Sequence, residues 1–267
     1  MPATDSAATS PATTDDRLLG GRVSLRQPRR GYRAAIDPVL LAAAVDARRG
    51  ATLLDAGLGT GAAALCLLAR RPDLRVIGIE ADPAACALAE DNARANGVAD
   101  RLQVRCAELD AATRAMAAAG EAVAGVLTNP PYLPAGWADP PAVAGRRAAH
   151  VEGLDLAAWT AACARTLRRR GALTLIHRAD RLDDAVAALA GAGFGEIAVL
   201  PLWPKPGADA GRVILRARHG IRAGARLLSG LVLHRPDGTY TDEAQAILRD
   251  AAAIVWKGST SPAEAPS

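Results

Sequence analysis

The chain reads as a doubly wound α/β protein, a mostly parallel sheet of seven strands with the last one antiparallel and helices on both faces. Short apolar runs alternate with longer helical stretches from Ala51 to Arg218, the pattern of strands joined by crossover helices. The run Leu53 to Gly61, Leu-Leu-Asp-Ala-Gly-Leu-Gly-Thr-Gly, is a strand that breaks into a glycine turn and opens an alanine-rich helix. The polar residues Asp55, Glu80 and Asn129 each fall at the end of a strand, and open α/β sheets bind ligands at that edge.

The elements follow in order. Met1 to Asp16, rich in Ala, Thr, Ser, Asp and Pro, reads as a loose leading segment. Gly20 to Leu25 reads as a strand. Asp37-Pro38 opens a helix, with Asp37 as N-cap and proline at the first helical position, and Val39 to Val45 forms its apolar body. Ala51 to Asp55 is the central strand, and the helix after the glycine turn runs to about Ala69. Leu74 to Ile79 is the next strand, after which Asp82-Pro83 caps a helix that ends at Asn96-Gly97. Leu102 to Arg105 is a strand, residues 111 to 122 are helical, and Val123 to Leu127 is the fourth strand of the sheet. Leu154 to Leu167 is a helix, with Arg168 to Arg170 at its negative end. Leu173 to Ile176 is the fifth strand and Leu182 to Ala190 a helix. Glu196 to Leu200 and Arg212 to Arg218 are joined by a loop too short for a crossover helix, so they pair antiparallel. Arg235 to Gly238 is a turn, and Asp242 caps a last helix.

Composition sets outer limits. With 267 residues the chain can bury one large core. All but Lys205 and Lys257 of its 32 basic residues are arginine, and the net charge of +4 permits a polyanionic partner without requiring one. Cys66, Cys86, Cys106 and Cys163 form no close metal-binding pairs, and they read as free thiols of a reducing cytoplasm. No metal is expected. No apolar run reaches the length of a membrane span and no signal-like leader is visible, so a cytoplasmic protein without a membrane partner is expected.

The chemistry is carried by two short stretches. The turn spacing Gly57-x-Gly59-x-Gly61 differs from the dinucleotide fingerprint, and Asp55 stands just before it. A carboxylate there serves a pyrophosphate poorly and an amino group well. The turn therefore suits a nucleoside-like cofactor that carries an amine, though a tight turn in an ordinary α/β protein has the same glycines. Glu80 can accept two hydrogen bonds from ribose hydroxyls. Asn129-Pro130-Pro131-Tyr132 ends the fourth strand. Its prolines stiffen the backbone, and its carbonyl and amide oxygens can accept both hydrogens of a planar exocyclic amine while Tyr132 lies against the attached ring. Drawing those hydrogens out of plane favours attack by the nitrogen on an electrophilic methyl group, with no metal and no covalent enzyme intermediate. Gln27 to Arg33, with Arg29, Arg30 and Arg33 near Tyr32, suits a phosphate backbone and a stacked base, and equally a solvated surface loop.

With these residues in place, the chain resembles the class I S-adenosylmethionine-dependent methyltransferases that act on amines. Their fold is Rossmann-like, and the resemblance spans roughly Gly31 to Arg218. It implies that Asp55, Gly57, Gly59 and Gly61 lie against the methionine part of S-adenosyl-L-methionine, that Glu80 holds the ribose and that Glu108 approaches the adenine. It also implies that Asn129 to Tyr132 are catalytic, with Asn129 near the cofactor as well. A narrower resemblance, to the bacterial adenine-N6 methyltransferases of valine tRNA, rests on Gly31-Tyr-Arg33, Asp37 to Leu41, Arg146-Arg147-Ala-Ala-His150 and Tyr240 to Ala244. It implies a tRNA partner, modification of the adenosine beside the anticodon, closure of the cofactor pocket by Asp37, and RNA contacts from Arg146, Arg147 and His150. The segment before Asp16 has no counterpart in this motif set. The organisation expected is a loose segment over 1–16, one domain over 17–257 with a capping segment at 17–48, and a loose tail over 258–267, as a monomer or a homodimer.

Other substrates fit the same corner. A glutamine amide does, as in the release-factor methyltransferases, but those carry an N-terminal helical domain for which there is little room before the first motif here. DNA adenine methylation goes with a large target-recognition domain that is not visible. Guanine-N2 methylation more often goes with phenylalanine at the position of Tyr132. A non-catalytic cofactor-binding scaffold sits awkwardly with Asn129 and Tyr132 both present.

Overall fold

A computed structural model describes residues 13–29, 33–131 and 155–256. Its centre is a nine-stranded sheet. The strands are β3 (Thr52–Ala56), β4 (Arg75–Glu80), β5 (Leu102–Cys106), β6 (Val123–Thr128), β7 (Leu167–Arg178), β8 (Phe194–Trp203), β9 (Arg212–His219), β10 (Arg226–Leu227) and β11 (Leu231–Val232). Their order is β10-β8-β9-β7-β6-β3-β4-β5, with β11 also on β8. Strands β3 to β7 are mutually parallel, and β9 lies antiparallel between β7 and β8. Seven of these strands coincide with runs read from the sequence; β10 and β11, two residues each, are too short to give an alternating pattern.

Alternation along the strands explains the layers. Leu53 faces one core and Leu54 the other, and Leu127 and Val126, Ile176 and Leu175, Ile214 and Leu215 divide in the same way. One face is covered by α1 (Asp37–Ala44), α2 (Ala62–Arg70) and α3 (Pro83–Ala95), together with α7 (Asp242–Arg249). The other is covered by α4 (Leu109–Ala118), α5 (Leu156–Thr166) and α6 (Leu182–Gly191). Helix α1 is buried from Pro38 to Ala44, so its sequence is apolar all round rather than striped. Carbonyls of its last turn, which a helix leaves unpaired, accept from the chain beyond α7: Ile254 N–H donates to Ala43 O and Trp256 Nε1 to Ala44 O, both at 2.9 Å.

Several sequence expectations are corrected. Strands β1 (Thr13–Leu18) and β2 (Val23–Pro28) form an antiparallel hairpin around a turn at Leu19–Gly21, so Thr13 to Asp16 are strand rather than loose chain, and Gly20 and Gly21 are turn. Ile36, not Asp37, is the N-cap of α1, and Asp37 is its first helical residue. The cap of α7 is Thr241, whose hydroxyl accepts from Ala244 N–H at 3.1 Å, one residue before Asp242. Arg168 to Arg170 are not at the end of α5, which stops at Thr166; they are exposed residues at the start of β7, beside a register shift between Val123 and Gly125. Asp82 does cap α3, accepting from Ala84 N–H at 2.9 Å.

Candidate cofactor and substrate site

The strand order reverses at β3. The chain leaves it for β4 on one side and later returns to β6 on the other, which opens a crevice beyond the carboxyl ends of β3 and β6. A cleft of about 320 Å³ lies there, lined among others by Gln27, Asp55, Gly57, Gly59, Pro38 and Asn129. The glycine turn forms its floor. Gly57 and Leu58 N–H both donate to Ile79 O, at 3.0 and 2.9 Å, which folds the turn back against the end of β4. Gly57, Gly59 and Gly61 have φ of 77°, 56° and 92°, the left-handed region that side chains disfavour. At Gly57 space is closed as well: a Cβ would stand 3.0 Å from the ring of Trp159.

The two acids near the turn sit in different surroundings. Asp55 lines the cleft at 2% exposure, and its Oδ2 has no hydrogen-bond partner. Burial pushes its carboxyl up from 3.8 to about 8, the Glu80 charge adds to this, and the Ala64 N–H opposes it. Glu80 has partners on both oxygens. Its Oε2 accepts from Gly59 N–H at 2.8 Å, and its Oε1 from Ala81 and Asp82 N–H at 3.0 Å each. Glu80 therefore braces the turn, and Oε2 keeps room for one further donor. Glu108 is exposed at the N-cap of α4 and does not line the cleft. Asp37 does not line it either; its carboxylate takes Arg212 Nε at 3.1 Å, while the adjacent Pro38 forms part of the wall.

On the opposite side, the end of β6 is fixed by a chain of hydrogen bonds. Trp159 Nε1 donates to Thr128 Oγ1 at 3.0 Å, and Thr128 Oγ1 donates to Ala56 O at 2.7 Å. This joins the two strand ends that flank the cleft and places Asn129, half-buried, in its lining. Pro130 is buried and Pro131 exposed, and Tyr132 lies outside the described residues. Sequence reasoning missed Trp159, because an aromatic residue on a helix signals core before it signals a site.

The arginines expected on RNA divide. Arg29 is exposed, and its Nε donates to a backbone carbonyl, that of Thr13, at 3.3 Å. Arg33 is engaged with both oxygens of Asp16, at 3.1 and 2.9 Å. Asp16 is also held by Gln27 and Thr14, and the Gln27 hydrogen bond leads in keeping its carboxyl below the ordinary value. Arg30, Arg146, Arg147 and His150 lie outside the described residues. Among the described residues no cluster of His, Cys, Asp or Glu could hold a metal ion, and no helix is long and apolar enough to cross a membrane. The four cysteines are free.

Comparison with known proteins adds four findings. The methyltransferase small domain family matches residues 35–180. A tRNA1(Val) (adenine(37)-N6)-methyltransferase of Aeromonas hydrophila is 30% identical over 209 residues, covering 77% of this chain and 84% of that protein. A release factor glutamine methyltransferase of Cereibacter sphaeroides is 46% identical over 85 residues, 32% of this chain and 28% of that protein. Among solved structures, a predicted O-methyltransferase from Agrobacterium tumefaciens superposes with a TM-score of 0.69 at 26% identity, covering 82% of this chain and 98% of that one.

Proposed function

The chain belongs to the methyltransferase small domain family and is an S-adenosylmethionine-dependent methyltransferase of Rossmann-like fold; from that premise we propose that it methylates the N6 amine of an adenosine in tRNA, the one beside the anticodon of valine tRNA. The observation that carries the substrate is the breadth of the likeness to the Aeromonas hydrophila enzyme, whose match covers 84% of that protein, against 28% of the glutamine methyltransferase. The shorter but closer match favours a second reading, methylation of a release-factor glutamine, since an amide NH₂ suits the same acceptors.

The cleft fits the cofactor. The orphaned Oδ2 of Asp55 offers an acceptor for an α-amino group, Gly57 and Gly59 allow close approach, and Glu80 keeps a site for a ribose hydroxyl. S-adenosylmethionine supplies an electrophilic methyl group on sulfur. The chain supplies position. The amide oxygen of Asn129 and the backbone carbonyl of Pro130 accept the two hydrogens of the target amine and turn its lone pair out of the ring plane. Tyr132 stacks on the base, and Arg29, Arg30, Arg33, Arg146, Arg147 and His150 serve its phosphates, with Arg29 the most available of the described ones. Thr128 and Trp159 hold Asn129 in register with the glycine turn.

The test presents both substrates. The protein is incubated with labelled S-adenosylmethionine, tRNA from a strain lacking the enzyme, and unmethylated release factor. Mass spectrometry is expected to find N6-methyladenosine beside the anticodon. Label confined to a glutamine of the release factor would replace this reading with the second.

A further inference from the structure

Strand β2 pairs with β1 along one edge and lays its other edge on α3. A helix has no free backbone groups along its side to pair with a strand, yet this edge is paired, by two asparagines. Asn96 Oδ1 accepts from Ser24 N–H at 2.9 Å and its Nδ2 donates to Ser24 O at 2.7 Å. Asn92 Oδ1 accepts from Arg26 N–H at 2.8 Å and its Nδ2 donates to Arg26 O at 2.9 Å. The repeats match, since four residues of helix rise about 6 Å and two residues of strand about 6.7 Å. The two amides thus stand in for a neighbouring strand.

They differ in one respect. Asn92 is buried, and its Nδ2 also donates to Thr60 O, in the glycine turn, at 2.9 Å. Asn96 has no bond to that turn; its second donor bond goes to Asn92 O within α3. Residues Gln27 and Pro28, which follow Arg26, line the cleft together with Thr60 and Gly59. One side chain therefore fastens the hairpin wall of the cleft to its glycine floor.

We infer that Asn92 is a positioning residue for S-adenosylmethionine, coupling the hairpin to the glycine turn so that the cleft retains its cofactor. Asn92→Asp keeps shape and acceptor but replaces the NH₂ donor, so that a carboxylate oxygen faces the carbonyls of Arg26 and Thr60. Asn96→Asp makes the same change at the same seam without touching the turn. An added carboxylate attracts a cationic cofactor, so weaker binding in Asn92→Asp reports lost positioning rather than charge.

The experiment measures cofactor Kd by calorimetry, melting temperature, and kcat at saturating cofactor for the full chain and both variants. Both variants are expected to melt lower. Asn92→Asp is expected to raise the cofactor Kd about 10-fold or more while keeping kcat near wild type, and Asn96→Asp to stay within about 2-fold. Equal Kd changes in the two variants, or an unchanged Kd in Asn92→Asp, would overturn the inference. If Asn92→Asp does not fold, Asn92→Ser, which removes the same two donor bonds without adding charge, is judged by the same criteria.

Discussion

Asp55 and Glu80 end neighbouring strands, and the fold treats them in opposite ways. Glu80 is surrounded by three backbone N–H donors and holds the glycine turn against β4. Asp55, at 2% exposure, keeps an oxygen without a partner and is pushed up to about 8. A carboxylate that holds a loop must have its donors inside the protein, whereas one proposed to receive a cationic group keeps one oxygen without a donor. Position in the sequence motif does not separate these roles; hydrogen-bond occupancy does.

The largest expected effect separates both acids from the chemistry. Asn129→Ala is expected to slow single-turnover methyl transfer by about 10²–10³-fold with cofactor affinity near wild type, the scale of losing one electrostatic group at a reacting centre. Variants of either acid, at saturating cofactor, are expected to keep most of the rate. A slow step in the acid variants and a fast one in Asn129→Ala would reverse the assignment.

Next comes the bracing acid. Glu80→Ala leaves the N–H groups of Gly59, Ala81 and Asp82 without their acceptor. Cofactor binding is expected to weaken by about 1–3 kcal/mol, with a lower melting temperature in the absence of cofactor. Unchanged affinity in a calorimetric titration would remove Glu80 from the cofactor site.

The receiving acid gives a smaller effect of distinct form. The folded-state value of Asp55 lies above its ordinary 3.8, so the folded protein binds the extra proton between about pH 4 and 8. Its contribution to stability is complete below that window and is lost as the pH rises through about 8. Asp55→Asn is expected to flatten this slope and to raise the melting temperature of the cofactor-free protein at pH 9 by on the order of 5 °C. Equal slopes in the two proteins would place the buried proton elsewhere.

The smallest effect concerns RNA. Arg29→Ala is expected to reduce the salt slope of tRNA binding by about 1, and Arg33→Ala by less, because Asp16 already holds Arg33. Filter binding across a salt series measures both; equal slopes for wild type and Arg29→Ala would remove Arg29 from the phosphate track.

What the sequence made legible was local. The glycine turn, Asp55, Glu80 and Asn129 sit within a few residues of strand ends that short apolar runs reveal. What it hid depends on distant partners. Strand β1, Thr-Thr-Asp-Asp-Arg-Leu, is polar and half-exposed and pairs, among the described residues, with β2 alone, so it reads as loose chain. Asp37 reads as a cap because its partner, Arg212, is 175 residues away. Asn92 reads as one more polar position of a surface helix, since nothing in its neighbours announces the strand it pairs with. Trp159 acquires its place only when β3 and β6 lie side by side.

The central claim, that Asp55 receives the amino group of the cofactor, is tested most directly by calorimetry of S-adenosylmethionine binding at pH 7 in buffers of different ionisation enthalpy. Asp55 is mostly protonated at that pH in the free protein and becomes ionised opposite an ammonium group. Wild type is therefore expected to release most of one proton on binding at pH 7, and Asp55→Asn about none. The same proton count in the two proteins would contradict the claim.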